Sequence, residues 1–495
     1  MQPTLLISRF TFSRIVMAPA LMLVPVLLLA QPPDLGVTQL LFEPVPLVNG
    51  APTTDHTLIS FNTAQSEIPV AVVSEFKASD AERQQMRADI DRYLAKLGDA
   101  EAAEGPFSDQ LREDLFATGT LYQKLEDYEN AIKLFERTLN VSRINNGLEG
   151  LDQVEVLEAM ADTYLAMEKT TQADAMMDAA YNLQLKAYGE GTKELVPAER
   201  KLGDWNTQAF MQRSSILVNI PRMNVQQFLN DPRNYIDNRN DMRDTPLYKL
   251  YQARGNYLNA ISTIVESREF THPDLQELER KLLTNFVLST HRENILYEPD
   301  FYLTRKKTKT ASRLDQNTIE LMNSDDYYLG REAHKRRMAY LVADEHRTAP
   351  QLVTAMLEEA DWDVLFGHKT DAVDKYEAAF KFFNENPTIL ANASDFIYPA
   401  IPVVLPTYLP APNSRERLGI APDAKVNYFG YIDVSFALTK FGKARKIKQL
   451  GKGGEVTHNM EIRLNEYIRR VQFRPRYKGA ELDTTPMTLR YYVGI

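Results

Sequence analysis

The spacing of apolar positions divides the chain into several parts. From Ser79, which has Glu82 at the spacing of a capping box, to about Asn386, apolar residues recur at the intervals of amphipathic helices. Residues 31–78 are rich in Pro, Val and Thr, which predicts an extended or partly disordered lead-in with one strand near residues 70–73. A dense run of prolines in residues 391–424 predicts a stiff linker.

Two helical hairpins repeat within residues 79–215. Their recurring positions are Leu115, Gly119, Tyr122, Ala131, Phe135 and Thr138, and then Leu157, Ala161, Tyr164, Ala173, Met177 and Ala180. Small residues let two helices cross closely, and the larger ones fill the groove between them. The offsets resemble the tetratricopeptide repeat (TPR). The copies are 42 residues apart, longer than the usual period of about 34.

Weaker copies are predicted within residues 216–390. Tyr251 and Ala260 show the same nine-residue interval, and a later copy comprises Met356, Ala360, Ala372, Tyr376 and Ala379, with Pro387 closing its second helix. In that later copy Asp363 replaces the expected aromatic residue. The simpler alternative for each copy is a helical hairpin with a small-residue contact. Between them, residues 301–323 contain the basic run 305–309, which predicts a polar loop crossing the solenoid.

Residues 425–495 change to the order strand, turn, strand, helix, strand. The positions predicted to be buried are Ile432, Val434, Phe436 and Leu438 on the first strand, Met460, Leu464, Ile468 and Val471 on the helix, and Met487, Leu489, Tyr491 and Val493 on the last strand. Thr457 is placed to cap the helix. The predicted fold class is therefore mainly α, a TPR-like helical solenoid followed by a small α+β domain.

This last domain resembles the TonB C-terminal family. The resemblance is carried by Gly430 to Phe436, Phe441 to Ala444, and Phe473-Arg474-Pro475 after the helix. It implies a small antiparallel sheet packed on a helix, in the periplasm of a Gram-negative bacterium, that binds a receptor segment by strand addition. In energy transducers of that family a long Pro/Lys and Pro/Glu spacer stands where this chain has helical repeats.

The first thirty residues have the layout of a secretory signal peptide. Arg9 and Arg14 precede an apolar run of sixteen residues that ends at Ala30 and is followed by Gln31. This run is short for a transmembrane helix, which needs about 20 residues. Cleavage after Ala30 would release a periplasmic protein, whereas an uncleaved segment would anchor the chain in the inner membrane, facing the periplasm.

Charge and cysteine content exclude several classes of function. The net charge is -10, and removal of residues 1–30 with their two arginines would make it -12, which argues against nucleic acid as the main partner. The chain has no cysteine, so disulfides, thiolate zinc sites and cysteine nucleophiles are excluded.

No catalytic, cofactor or metal site is predicted, and no partner-binding residue can be assigned. The seven histidines form no i, i+4 pair, and no Gly-x-Ser-x-Gly motif occurs. The run Gly451 to Gly454 lacks the phosphate-loop spacing, so it is predicted to be a flexible turn. The acidic pairs Asp325-Asp326 and Glu358-Glu359 are predicted to lie on solvated faces.

The favoured hypothesis is a non-enzymatic periplasmic scaffold or adaptor. It would hold protein partners in the repeat groove and on the C-terminal sheet edge, with an outer-membrane protein as one candidate. The alternative is an inner-membrane-anchored energy transducer of the TonB type for outer-membrane transport. The two hypotheses differ in whether the N-terminal segment is cleaved.

Overall fold

A computed structural model of the chain describes residues 40–48, 51–52, 80–213, 246–296, 325–418, 420 and 426–494. Leu40–Ile495 forms one compact unit. The predicted signal peptide, the predicted strand near residues 70–73 and the basic run 305–309 lie outside the described residues.

Helices dominate the described residues between 80 and 397. In chain order they are α1 (Asp80–Glu104), α2 (Leu111–Lys124), α3 (Tyr128–Asn146), α4 (Val154–Ala166), α5 (Thr170–Tyr188), α6 (Val196–Arg213), α7 (Pro246–Glu266), α8 (Pro273–Leu296), α9 (Asp325–Ala343), α10 (Ala349–Leu365), α11 (Lys369–Glu385) and α12 (Pro387–Ile397). Each helix packs against the next along the chain. A mainly helical solenoid is therefore confirmed.

The first two predicted repeats are the hairpins α2–α3 and α4–α5. Gly119 shows why a small residue is needed at this position of the repeat. A Cβ here would lie 2.7 Å from Cε1 of Phe135, which is too close. Phe135 is fully buried against α2, so glycine sets how closely the two helices approach. Ala161, Ala173 and Ala180 are buried at the matching positions of the second hairpin.

The predicted copy around Tyr251 and Ala260 is wrong as a hairpin, because both residues lie on the single helix α7. The partner of α7 is α6, with residues 214–245 between them. In this pair a Cβ on Gly203 would lie 2.5 Å from Cε1 of Tyr257, which repeats the Gly119–Phe135 contact. The insertion between the two helices hides the repeat from a search at fixed spacing.

The later copy forms the hairpin α10–α11 as predicted. Ala360, Tyr376 and Ala379 are buried in its core. Asp363, at the position of the expected aromatic residue, is also buried; it accepts a hydrogen bond from Tyr327 Oη at 3.0 Å and contacts Lys375 Nζ at 2.9 Å. A polar contact here replaces an aromatic one.

The C-terminal region forms a five-stranded antiparallel sheet packed on one helix. Its elements are the strands β1 (Leu41–Val48), β2 (Ala51–Pro52), β4 (Tyr428–Leu438), β5 (Ala444–Gly454) and β9 (Met487–Gly494), in the order β2-β1-β9-β4-β5, and the helix α13 (His458–Arg470). Short strands complete it: β3 (Val404–Leu405), β6 (Gln472–Phe473), β7 (Tyr477–Lys478) and β8 (Glu481–Leu482).

The predicted strand and helix order is confirmed, and so is the alternation on β4 and β9. Ile432 and Phe436 on β4, together with Leu489 on β9, form one core with Leu464 of α13. Thr457 caps α13 by accepting a hydrogen bond from the backbone N–H of Met460 at 3.3 Å.

The prediction of a flexible turn at Gly451 to Gly454 is wrong, because these residues continue β5. Gly453 pairs with Tyr431 of β4, and a Cβ on Gly453 would lie 2.5 Å from Cε1 of that ring. The glycines therefore let a tyrosine ring lie against the strand.

Strand β1 lies inside the predicted lead-in, and the pattern analysis did not foresee it. It pairs with β9 from Leu41↔Gly494 to Pro46↔Leu489. Two prolines, Pro44 and Pro46, hide this strand in the sequence, because proline is confined to the edges of sheets.

The proline-rich segment packs against both parts of the molecule instead of spacing them apart. Helix α12 continues to Ile397, past residue 390, where the linker was predicted to begin. Beyond it, Tyr408 and Leu409 are buried in the helical core, and Val404 pairs with Phe473 of the C-terminal region.

Candidate interaction site

Polar side chains join the first helices of successive repeats along one face of the solenoid. Gln123 of α2 donates to Thr163 Oγ1 of α4 at 2.9 Å, and Lys201 of α6 contacts Glu158 of α4 at 2.6 Å. Asp162 of α4 lies in the same row and is exposed. Burial among neighbouring groups nevertheless raises the pKa of Asp162. Stacked repeats form a concave binding surface. We name this polar face of α2, α4 and α6 the repeat groove.

Farther along the solenoid, ion pairs with at least one buried partner link the helices. Asp174 of α5 pairs with Lys249 of α7 at 3.1 Å, and Asp204 of α6 pairs with Lys281 of α8 at 2.9 Å. Glu279 of α8 pairs with Arg336 of α9 at 2.6 Å. A buried charge is tolerated only when it is paired, and so each pair fixes the relative position of two helices.

Glu358 of α10 is the centre of the largest such cluster. It accepts hydrogen bonds from Arg280 at 3.0 Å, from Arg337, and from Thr407 Oγ1 of the proline-rich segment at 2.9 Å. Burial alone would raise the pKa of Glu358, but the two guanidinium groups hold it well below its usual value. The prediction that Glu358-Glu359 forms a solvated face is therefore wrong for Glu358, which is fully buried.

One turn along α10, Asp361 binds the C-terminal domain directly. Arg474, the middle residue of the Phe-Arg-Pro motif, donates through Nε to Asp361 Oδ1 at 3.0 Å and through Nη2 to Oδ2. Tyr376 Oη of α11 donates to the same carboxylate. Both charged groups are buried, so the solenoid and the sheet share one bidentate ion pair. We name Glu358, Asp361 and Arg474, with their partners, the domain junction.

The other candidate site is the edge of the sheet beside β9, and β1 fills it. Asn413 accepts from the backbone N–H of Phe42 at 3.0 Å, and its side chain donates to the Leu40 carbonyl at 2.7 Å. The carboxylate of Glu43 accepts hydrogen bonds from Arg415 and from Tyr428 Oη. Backbone hydrogen bonds and charged side chains of the same chain therefore hold β1 in place.

The outer edge of β1 is poor in hydrogen-bond donors. The backbone N–H of Phe42 points away from β9. Pro44 and Pro46 follow at every second position of the strand, so they occupy the sites whose N–H would also face outward, and proline has no N–H. The opposite edge, β5, is interrupted by two register shifts against β4. Neither edge offers an incoming strand a long regular ladder.

The described residues contain no cluster of three His, Asp or Glu side chains arranged to hold a metal ion. His334 lies in the core against the ring of Trp362, and burial lowers its pKa to about 3. Burial also raises the pKa of Glu199 to about 7, but this carboxyl lies inside the repeat packing. The prediction of a solvated face at Asp325-Asp326 is wrong for Asp326, which is half-buried and contacts Arg254 at 3.0 Å.

Comparison with a protein-family model supports the assignment of tetratricopeptide repeats. A family model described as tetratricopeptide repeat matches residues 115–186. The crystal structure of BtubC (BKLC) from P. vanneervenii is similar at 12% identity and a TM-score of 0.31, covering 60% of this chain and 89% of that chain. A search of the curated proteins finds no match. None of the described helices is long and apolar enough to cross a bilayer.

Replacing Asp361 with alanine should strongly destabilise the protein. It would leave Arg474 buried without its carboxylate, a loss of about 3–5 kcal/mol in the free energy of unfolding. Adding Arg474→Met should recover part of that loss, because no unpaired charge then remains. Urea unfolding of the two single variants and the double variant measures the coupling. A double variant as unstable as the sum of the single variants would contradict the assignment, and Glu385→Ala, in an exposed pair with Lys381, is the control.

Proposed function

We propose that this chain is an exported periplasmic adaptor that brings two protein partners together. One partner would bind in the repeat groove, and the other, for which an outer-membrane protein is a candidate, would bind the C-terminal domain. TPR repeats suggest a protein-interaction scaffold, and repeat proteins of this kind are generally non-enzymatic. The signal-peptide layout of residues 1–30 supports export.

The observation that carries this proposal is the domain junction. Arg474 and Asp361 fasten the sheet to the last repeats, so the two binding surfaces keep a fixed relation to each other. An adaptor needs such a relation, whereas a transducer that spans the periplasm needs an extended spacer. In this chain the proline-rich segment is packed against the helices through Tyr408 and Leu409.

The likeness to the TonB C-terminal family supports a protein partner for the sheet. The order β4, β5, α13, β9 and the position of Phe473-Arg474-Pro475 after α13 follow that pattern. Two departures change how such a domain would act. Arg474 is used to dock the domain on the solenoid, and β1 holds the β9 edge, so strand addition there requires β1 to leave.

A photo-reactive amino acid in the repeat groove tests the first binding surface. With the crosslinker at Asp162 we expect discrete crosslinked products in the host, because the side chain is exposed in the groove. The matched control is Ala175, exposed on the second helix of the same repeat, where few products are expected. Equal products at both positions, or none at Asp162, would remove the groove from the proposal.

The mature N-terminus tests export and separates the two hypotheses. For an adaptor released into the periplasm, protein purified from its host should begin at Gln31, read by N-terminal sequencing or intact mass. An intact Met1 in the membrane fraction would contradict the adaptor and favour the anchored transducer. This result is independent of the crosslinking result, because export does not require a partner.

A further inference from the structure

A strongly basic segment stands out in an acidic chain. From Lys440 to Lys452 the sequence has six Lys or Arg residues and no Asp or Glu. Residues 426–494 together carry thirteen Lys and Arg against six Asp and Glu, a net charge of +7 in a chain of -10. The rest of the chain is therefore at -17, so positive charge is concentrated in the C-terminal domain.

Two lysines lie over the ring of Phe441, and a third lysine lies in the same turn. The Nζ atoms of Lys440 and Lys369 lie 5.1 Å and 5.7 Å from the centroid of Phe441, and Lys369 is the first residue of α11. Lys443, half-buried nearby, donates to the Arg470 carbonyl at 3.3 Å. Burial and the charge of Lys369 lower the pKa of Lys443. The positive charges of Lys369 and Lys443 therefore repel each other, and an anion beside them would relieve that repulsion.

The positive surface continues along β5. Arg445, Lys446 and Lys448 are exposed, and none of them forms an ion pair with any carboxylate of the described residues. Lys452 shows the contrast, because it contacts Glu461 of α13 at 2.5 Å. Three exposed cations without a neutralising carboxylate have two possible roles on such a strand. They can bind an anionic partner, or they can protect the sheet edge from pairing with another strand.

Protection of the edge explains only part of this arrangement. Lysines and bulges on an edge strand prevent sheet-to-sheet aggregation, and the two register shifts of β5 already serve that purpose. Edge protection does not explain Lys440 in the turn before the strand or Lys369 on α11, which lie over Phe441. It also leaves Leu450 of β5 58% exposed.

We propose that this basic surface, from Lys440 to Lys448 with Lys369, binds the anionic phospholipid headgroups of a membrane. A lipid surface requires charge and no strand register, which suits an edge broken by bulges. Each lysine near such a surface strengthens binding about fivefold, and exposed aliphatic side chains such as Leu450 can enter the interface. The proposal goes beyond the adaptor function and does not depend on it.

Vesicle co-sedimentation tests the proposal. The chain from Gln31 keeps every described element and omits the apolar N-terminal segment, which would bind lipid by itself. We expect it to sediment with vesicles of phosphatidylcholine containing about one third phosphatidylglycerol, and not with pure phosphatidylcholine. The triple variant Arg445→Glu, Lys446→Glu, Lys448→Glu should bind at least about 100-fold more weakly. Its new side chains are charged and exposed, so the edge stays protected.

The matched control is Lys133→Glu, Lys335→Glu, Lys381→Glu, which changes the net charge equally on exposed positions of the solenoid. It should bind like the parent chain, and Leu450→Ser should bind more weakly than the parent. Equal binding to both vesicle types, or equal loss in both triple variants, would overturn the proposal. A third outcome would also overturn the proposal: no lipid binding, but a salt-dependent self-association that is lost in the Arg445, Lys446, Lys448 triple variant and kept in the control. That outcome would assign the surface to an acidic protein partner.

Discussion

The bidentate ion pair between Arg474 and Asp361 is the contact on which the architecture depends. Both groups are buried, so neither charge can be left alone without a cost of several kcal/mol. The pair therefore holds the sheet domain to α10 in one orientation. Glu358, one turn away on the same helix, does the same for the proline-rich segment through Thr407. Two acidic residues of one helix thus organise the end of the molecule.

The same constraint explains how the chain closes on itself. Once the sheet is fixed to the solenoid, β9 presents its edge next to Asn413 and Arg415, and β1 completes the sheet from the other end of the described chain. Prolines then leave the outer edge of β1 poor in donors. The two surfaces proposed for binding are then the repeat groove, for a protein partner, and the basic surface, for a lipid membrane.

Local patterns predicted much of this fold, and an insertion, two prolines and long-range charge pairing account for what they missed. Gly119 with Phe135 and the alternation on β4 and β9 are set by neighbours in sequence, so spacing reveals them. The α6–α7 hairpin was missed because residues 214–245 separate Gly203 from Tyr257, and β1 was missed because its prolines hide the strand. Glu358 and Asp361 could not be recognised as buried, because their partners lie on other elements that are far away in the sequence, such as Arg474. The only available signal was acidic residues on an otherwise apolar helix.

The C-terminal domain is rigidly fixed to the repeats in this structure, and a distance between two spin labels tests that fixation most directly. The chain has no cysteine, so Lys133→Cys on α3 and Arg469→Cys on α13, both exposed, give two unique labelling sites. Pulsed electron resonance should give one narrow distance distribution, which broadens when Asp361→Ala is added. A broad distribution in the parent chain, unchanged by Asp361→Ala, would contradict the account.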